Sequence, residues 1–449
     1  MAVNAFRTGS YAVQYRFVTE NGHTGYTAAR ALGVDQWITS LPRYKSDQPT
    51  VVYCTDTYPP QVNGVSVVTG LAVAGLRKRG WRVVVIAPRY PRVPKIGVRQ
   101  FVNDFGVADL HVEIPSVPFP PYPDIRLAAP AYGRIRRTIE AVQPDLVHCA
   151  TEFMIGRLGE AAALRNGIPL ATSYHTDFAR YTEAYGAPRL KRVVSNYIAR
   201  FHQRAMRTYT PSAAARADLL ELGLKDVEVW GRTIDIRSFS PDKYDSLVRV
   251  LHGWERKFVL LHVGRLAAEK GVHRILEAFA IARALLPAGS LHLVIAGGGP
   301  EESALRRAAP PDVTFLGVLD RQRVLPQLYA SVDAFVLTSL TETLGLVVLE
   351  AMASGLPVIA TPAGGVAEHL RHGENGLAYP PGDVREMAHA MVRLVMNPAL
   401  RDRLALGARK TAEGLNWEGE LDRLDASYRE ILALSQGIEI AQANLSLAS

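Results

Sequence analysis

The sequence predicts an α/β protein made of two doubly wound parallel-sheet domains. Three observations predict it. From residue 51 on, short β-branched runs alternate with amphipathic helical patterns; the alternation breaks off and restarts after residue 256; and the runs are continuously apolar, as suits strands buried on both faces. In the first series the strands are 51–55, 83–87, 146–149 and 170–174, separated by helices such as 71–79 and 132–142. In the second they are 259–263, 293–296, 313–316, 334–337 and 358–360. A polar stretch with Ser240-Pro-Asp, within 240–253, marks the boundary, giving domains 49–240 and 241–416. Residues 1–48 read as an irregular extension, 417–434 as a last long helix, and 437–449 as a weakly specified tail.

Composition agrees and narrows the function classes. With 449 residues, 48% hydrophobic and 21% charged, the chain can bury two or three real cores. That excludes a mainly disordered, collagenous or disulfide-scaffold protein. Its two cysteines, Cys54 and Cys149, lie in apolar strand-like runs and predict a reducing, cytoplasmic setting without a structural disulfide. No apolar run approaches the roughly 18–20 residues of a membrane span, and the first 48 residues hold no signal-peptide core. The net charge of +8 is unevenly placed. Residues 51–230 hold 23 basic and 15 acidic side chains, whereas 231–449 hold 23 and 25. The excess points either to an anionic partner of the first half or to a solvated basic surface.

Two sheets facing one another across a hinge would set their strand C-terminal ends around one cleft, where ligands of open α/β sheets bind. Chemistry is therefore sought on loops leaving strands. In Tyr58-Pro-Pro-Gln-Val-Asn-Gly-Val-Ser66, Gly64 opens a helix whose first N–H groups can meet an anion, although an ordinary turn reads the same way. In Ser173-Tyr-His-Thr-Asp177, His175 can donate to a hydroxyl or to developing charge, or can be a satisfied structural histidine. In Gly264-Arg-Leu-Ala-Ala-Glu-Lys-Gly271, Arg265 and Lys270 can converge on a diphosphate. Ala296-Gly-Gly-Gly-Pro300 is a weak signal and no dinucleotide fingerprint.

The strongest signal runs from Thr341 to Gly355. Glu342 ends the loop after strand 334–337, Gly345 opens a helix, and Glu350 interrupts its otherwise apolar Val-Val-Leu-Glu-Ala-Met. Eight residues are a little over two helical turns, so both carboxylates can face one side. The N–H groups of Thr343, Leu344 and Gly345 sit where a diphosphate would want them.

As a set and in this order, these motifs resemble retaining glycosyltransferases of family 4, which have the GT-B fold: two Rossmann-like domains facing across a cleft. The E-x7-E pair is Glu342 and Glu350, and the Gly-Arg-x4-Lys-Gly segment is 264–271. The resemblance covers about residues 50–435. It implies a donor site for a nucleotide-sugar, with Arg265 and Lys270 on the diphosphate and Glu350 on the ribose. Glu342 and the amides of Thr343, Leu344 and Gly345 would hold the sugar and phosphate. Gly64 would abut the diphosphate from the other domain, His175 would lie near the anomeric carbon, and helix 417–436 would cross back to the first domain. It also implies front-face retention, with the leaving phosphate helping to deprotonate the acceptor. The chain has no Asp-x-Asp, so no metal or other cofactor is expected.

Within the family, 175–186 and Trp230-Gly-Arg resemble glycolipid mannosyltransferases using GDP-mannose, while 341–350 also resembles sulfoquinovosyl-diacylglycerol synthases, which use a UDP-sugar. One departure is Thr233, where the family usually has Gly. For the acceptor, 188–208 reads as a basic amphipathic helix. Leu190, Val193, Val194, Tyr197, Phe201 and Ala205 make an apolar stripe that either meets a lipid surface or packs on the sheet. The cations Arg189, Lys191, Arg192, Arg200 and Arg204 would face an anionic membrane surface and a lipid or glycolipid acceptor. The predicted setting is therefore peripheral, at the inner face of the plasma membrane. A basic nucleic-acid-binding protein is the rival from another class; it lacks a recognition motif and interleaved aromatics. A nucleotide-sugar epimerase or glycosyl phosphorylase on the same fold is the second rival.

Overall fold

A computed structural model describes residues 14–18, 24–28, 48–61, 63–90, 108–119, 122–177, 188–415 and 417–447. Contacts divide the chain into two units. One holds Met1–Ser173, Arg204–Arg207 and Asp425–Ser449; the other holds Tyr174–Gln203 and Thr208–Leu424. The boundary expected at 240–253 thus falls inside the second unit, and polar contacts show why residues 208–240 side with it. The Glu368 carboxylate accepts from the amides of Ala213 and Ala214 at the start of helix Ala213–Glu221 and pairs with Arg232 at 2.6 Å. Trp230 donates its indole N–H to the Glu420 carbonyl at 2.7 Å. Arg409 reaches the carbonyls of Ile236 and Phe239.

In the first unit the strands are β1 (Gln14–Val18), β2 (Thr24–Ala28), β3 (Thr50–Cys54), β4 (Arg82–Pro88), β5 (Leu110–Ile114), β6 (Ser116–Phe119), β7 (Tyr122–Ala128), β8 (Leu146–Cys149) and β9 (Leu170–Ser173). They run in the order β9-β8-β3-β4-β5-β1-β2, with β6 and β7 as a separate antiparallel pair. From β9 to β5 the ladders are parallel, and every residue of β3 and β8 is buried, which explains their unbroken apolar runs. Residues 1–48 are not all irregular as expected: β1 and β2 pair with each other, and β1 pairs antiparallel with β5. Cys54 and Cys149 are opposite one another on β3 and β8, buried and free. Helix Met154–Arg165 brings Gly159 so close that a Cβ there would lie 2.5 Å from the Cys54 sulfur.

The second unit holds β10 (Arg207–Thr210, whose first residue counts to the first unit) and β11 (Val227–Val229), paired in parallel. Its six-stranded sheet runs β14-β13-β12-β15-β16-β17. These strands are Phe258–Val263 (β12), Leu291–Ala296 (β13), Val313–Gly317 (β14), Ala334–Leu337 (β15), Val358–Ala360 (β16) and Gly376–Ala378 (β17), all parallel. Their side chains alternate between two cores: Val259, Leu261 and Val263 join one, Phe258 and Leu260 the other.

The last helix, Trp417–Leu447, starts in the second unit and continues into the first from Asp425. There Asp425 accepts from the Trp81 indole at 2.6 Å, and the buried Tyr428 hydroxyl bonds Tyr53 (2.6 Å) and His148. The tail expected to be weakly specified continues this helix to Leu447. No helix among the described residues is long and apolar enough to cross a membrane.

Candidate active site

In the second sheet β12 and β15 are neighbours, although β13 and β14 lie between them in sequence. This is where the strand order reverses, and the loops leaving such neighbours diverge to leave room for a ligand. The loop after β12 runs through the 3₁₀ turn Ala268–Lys270 to Gly271, whose φ of 62° suits glycine. The glycine turn after β13 packs directly beneath it. A Cβ at Gly297 would lie 1.8 Å from the Gly264 carbonyl oxygen, and the Leu266 amide donates to Gly298 O at 2.9 Å. These glycines exist for backbone packing.

The loop after β15 ends at Gly345 (φ 76°), which opens helix Leu346–Ala353. The Gly345 carbonyl accepts from Val348 and Leu349, but the amides of Thr343, Leu344 and Gly345 donate to no carbonyl among the described residues. Gly364 and Gly365 close over this turn: the Gly365 amide donates to Glu342 O at 2.8 Å, and a Cβ at Gly364 would lie 2.4 Å from that oxygen. Lys270 donates to Glu342 Oε1 at 2.5 Å. Burial alone would raise the Glu342 carboxyl, but Lys270 and a hydrogen bond from Ser339 outweigh it and hold the group below its ordinary value. The Thr343 hydroxyl donates to the His175 carbonyl at 2.6 Å, bringing the Ser-Tyr-His-Thr loop to the same place. Burial, with a smaller push from His202, pulls the His175 imidazole down to about 4, so it is neutral near pH 7. A cavity of about 20 Å³ lies here among Tyr174, Asp177, Ser212, Asp218, Glu342 and Thr343.

The other sequence-predicted residues are placed differently. Arg265 turns back onto Glu269, which is buried. Glu350, only 2% exposed, pairs with Arg321 through Nε at 2.8 Å and Nη2 at 2.7 Å. Gly64 belongs to the first unit, where it opens helix Gly64–Lys78 behind the cap Asn63; a Cβ there would meet nothing within 4 Å.

Sequence reasoning missed Arg321 and His262. His262 lies in β12 with Nδ1 on the Val336 carbonyl at 3.1 Å and a buried Nε2 without a partner, and burial pulls it to about 4. Its one signal was a lone polar residue inside Val-Leu-Leu-His-Val. Arg321 had none, because its partner is 29 residues away. Among the described residues no group of three or more His, Cys, Asp or Glu could hold a metal ion.

On helix Lys191–His202 the expected stripe divides. Ile198, Ala199 and Phe201 are buried and Val194 packs against them, in one cluster with Leu219 and Val227. Leu190 (53% exposed), Val193 (63%) and Tyr197 (42%) instead face outward with Arg189, Lys191, Arg192 and Arg200. At helical spacing these are two flanks of one broad stripe, with 193 and 197 on one flank and 194, 198 and 201 on the other, and only the second flank is covered by a neighbour. Arg204, counted with the membrane-facing cations, lies in the first unit and pairs with the buried Glu160 at 3.4 Å.

Comparison with known proteins decides the family. The chain is 34% identical over 382 residues to the GDP-mannose-dependent alpha-mannosyltransferase of Mycobacterium tuberculosis, covering 85% of this chain and 96% of that one. The chain belongs to glycosyltransferase family 4. The model of Glycosyltransferase Family 4 matches residues 62–238, and that of Glycosyl transferases group 1 matches 257–397. A second relative, the sulfoquinovosyl transferase SQD2 of Arabidopsis thaliana, is 32% identical over 321 residues, covering 69% of this chain and 61% of that one. Among solved structures, Anabaena Alr3699/HepE in complex with UDP and glucose matches with a TM-score of 0.67 at 20% identity, covering 85% of this chain and 100% of that one. The sucrose-phosphate synthase of Thermosynechococcus elongatus matches with 0.65 at 19%, covering 86% and 100%. This family 4 glycosyltransferase has the GT-B fold. Its departure at Thr233 is locally satisfied: the buried hydroxyl donates to the Leu415 carbonyl at 3.2 Å, and the backbone is not left-handed.

Proposed function

We propose that this glycosyltransferase moves mannose from GDP-mannose to a lipid-linked or glycolipid acceptor, retaining the anomeric configuration. The observation that carries the donor is the set of relatives named GDP-mannose-dependent alpha-mannosyltransferase, which match at 29–34% identity over 91–97% of their lengths. The roles are those the resemblance implies, and the meeting of Lys270, Glu342, Thr343 and His175 at one turn supports them. The amides of Thr343, Leu344 and Gly345 and the cations Lys270 and Arg265 take the diphosphate, Glu342 the sugar hydroxyls, and Glu350 the ribose. Lys270 already has a carboxylate partner, so donor binding re-partners it toward the leaving phosphate as negative charge grows there. Neutral His175 donates a hydrogen bond near the anomeric carbon. The acceptor proton passes to the departing phosphate oxygen on the same face, with no carboxylate nucleophile and no metal.

The outward row of Leu190, Val193 and Tyr197, flanked by Arg189, Lys191, Arg192 and Arg200, supports docking on an anionic lipid surface at the cytoplasmic face of the membrane. A panel of GDP- and UDP-sugars, with and without lipid extract and EDTA, tests the whole reading. GDP-mannose consumption that needs lipid extract and ignores EDTA is expected. Turnover of a UDP-sugar instead would favour the diacylglycerol glycosyltransferase reading that the likeness to SQD2 supports. Salt-sensitive nucleic-acid binding without turnover would overturn both.

A further inference from the structure

We infer that Arg321 is a positioning residue for recognition of the donor ribose, acting through Glu350; this rests on the assignment of Glu350 to the ribose. Glu350 lies inside helix Leu346–Ala353, where every neighbour from Val348 to Ala353 is buried. An ionised carboxylate there needs a counter-charge and a fixed direction. Arg321 supplies both. Its Nε and Nη2 both contact Oε1, at 2.8 and 2.7 Å, so Oε2 is the oxygen that Arg321 does not take.

The guanidinium is itself held from two sides. It lies over the Phe239 ring with its carbon 5.1 Å from the centroid, and its side chain is only 15% exposed. Its backbone is set by Asp320, whose carboxylate accepts from the amides of Gln322 and Arg323 and whose carbonyl accepts from Val324 and Leu325. Tyr329 adds no competing charge but also touches this carboxylate: burial, the nearby Glu350 charge and a hydrogen bond to Glu350 push its phenol well above its ordinary value, and its hydroxyl lies 3.3 Å from the Val347 carbonyl. The pair is separate from the diphosphate cations, since Lys270 pairs with Glu342 and Arg265 with Glu269. Arg321 thus gives Glu350 a counter-charge and one orientation toward a neutral diol, a task distinct from binding phosphate.

The test compares GDP with 2′,3′-dideoxy-GDP by calorimetry on the full chain, wild type and variants. The wild type should prefer GDP by about tenfold or more, the worth of a hydrogen bond to a charged group. Arg321→Met should weaken GDP binding to nearly that of the dideoxy analogue and leave the analogue's own affinity unchanged. Glu350→Gln should do the same, and the double variant should lose no more than either single one. Arg321→Lys, which keeps the charge but not the two-nitrogen contact, should lose part of the preference and keeps the test informative should Arg321→Met not fold. Full preference in Arg321→Lys or Arg321→Met, or equal weakening of both ligands, would overturn the inference alone. A wild type that binds both ligands equally would overturn the ribose assignment of Glu350 as well.

Discussion

The turns that follow β3 and β15 each leave a strand beside the point where its sheet's order reverses, yet they use their polar groups in opposite ways. After β3 almost everything is spent internally. Asn63 caps the Ser66 amide and donates to Thr57, Tyr90 donates to Gln61, and the Asp56 carboxylate accepts from the amides of Ile155 and Gly156 and from the Thr151 hydroxyl. After β15 a cation meets a carboxylate across 72 residues, and three successive amides donate to no carbonyl among the described residues. Ionisation follows the same division. Burial raises the Asp56 carboxyl, while Lys270 helps hold Glu342 down. Topology supplies the place, and internal satisfaction distinguishes the two turns.

The contrast can be broken most directly at Glu342. Glu342→Gln should lower kcat about 10²–10³-fold, the usual loss when one preorganised polar contact is removed, with far-UV circular dichroism unchanged. His175→Ala should behave alike; an unfolded variant of either would place these residues in the scaffold instead. The glycines give the next largest effect. Gly364→Ala forces a Cβ to 2.4 Å from the Glu342 carbonyl at φ 53° and should destabilise by about 1–3 kcal/mol in chemical denaturation. Gly64→Ala meets no neighbour, so its melting temperature should hold and any change should appear in the KM for donor.

Asp56→Ala should cost about 1–2 kcal/mol, because it uncaps helix Met154–Arg165, and should leave donor KM in place. Acidification should give the smallest and most informative difference. His175, His262, His292 and His369 all belong to the second unit, and burial draws each from 6.5 to about 4. Their contribution to stability is complete above pH 6.5 and is lost as pH falls toward 4. Asp56, raised in the folded state, runs the other way and gains as it takes up a proton. Hydrogen exchange from pH 6.5 to 4.5 should therefore show β12 losing protection before β3; the reverse order would refute the assignment.

Much of this was legible in advance because it is local. The runs at 146–149, 334–337 and 358–360 coincide with strands β8, β15 and β16, since strands buried on both faces must be apolar throughout. The loops bearing Lys270, Glu342 and His175 could be read for the same reason: glycine at a strand-to-helix turn and a carboxylate in an apolar helix are local signals. Strands β1 and β2 escaped because they form an edge whose partner, β5, is far along the chain.

The sequence by itself determined where nine of the parallel-sheet strands lie and which family the motifs resemble, because periodicity and spacing act over a few residues. Only the tertiary structure decided the pairing of charges: Arg265 to Glu269, Lys270 to Glu342, Arg321 to Glu350 and Arg204 to Glu160. It also decided that Leu190, Val193 and Tyr197 face outward although they continue an apolar stripe. Partners brought together by strand order leave no periodic trace, and a helix face becomes core or surface only when a neighbour covers it.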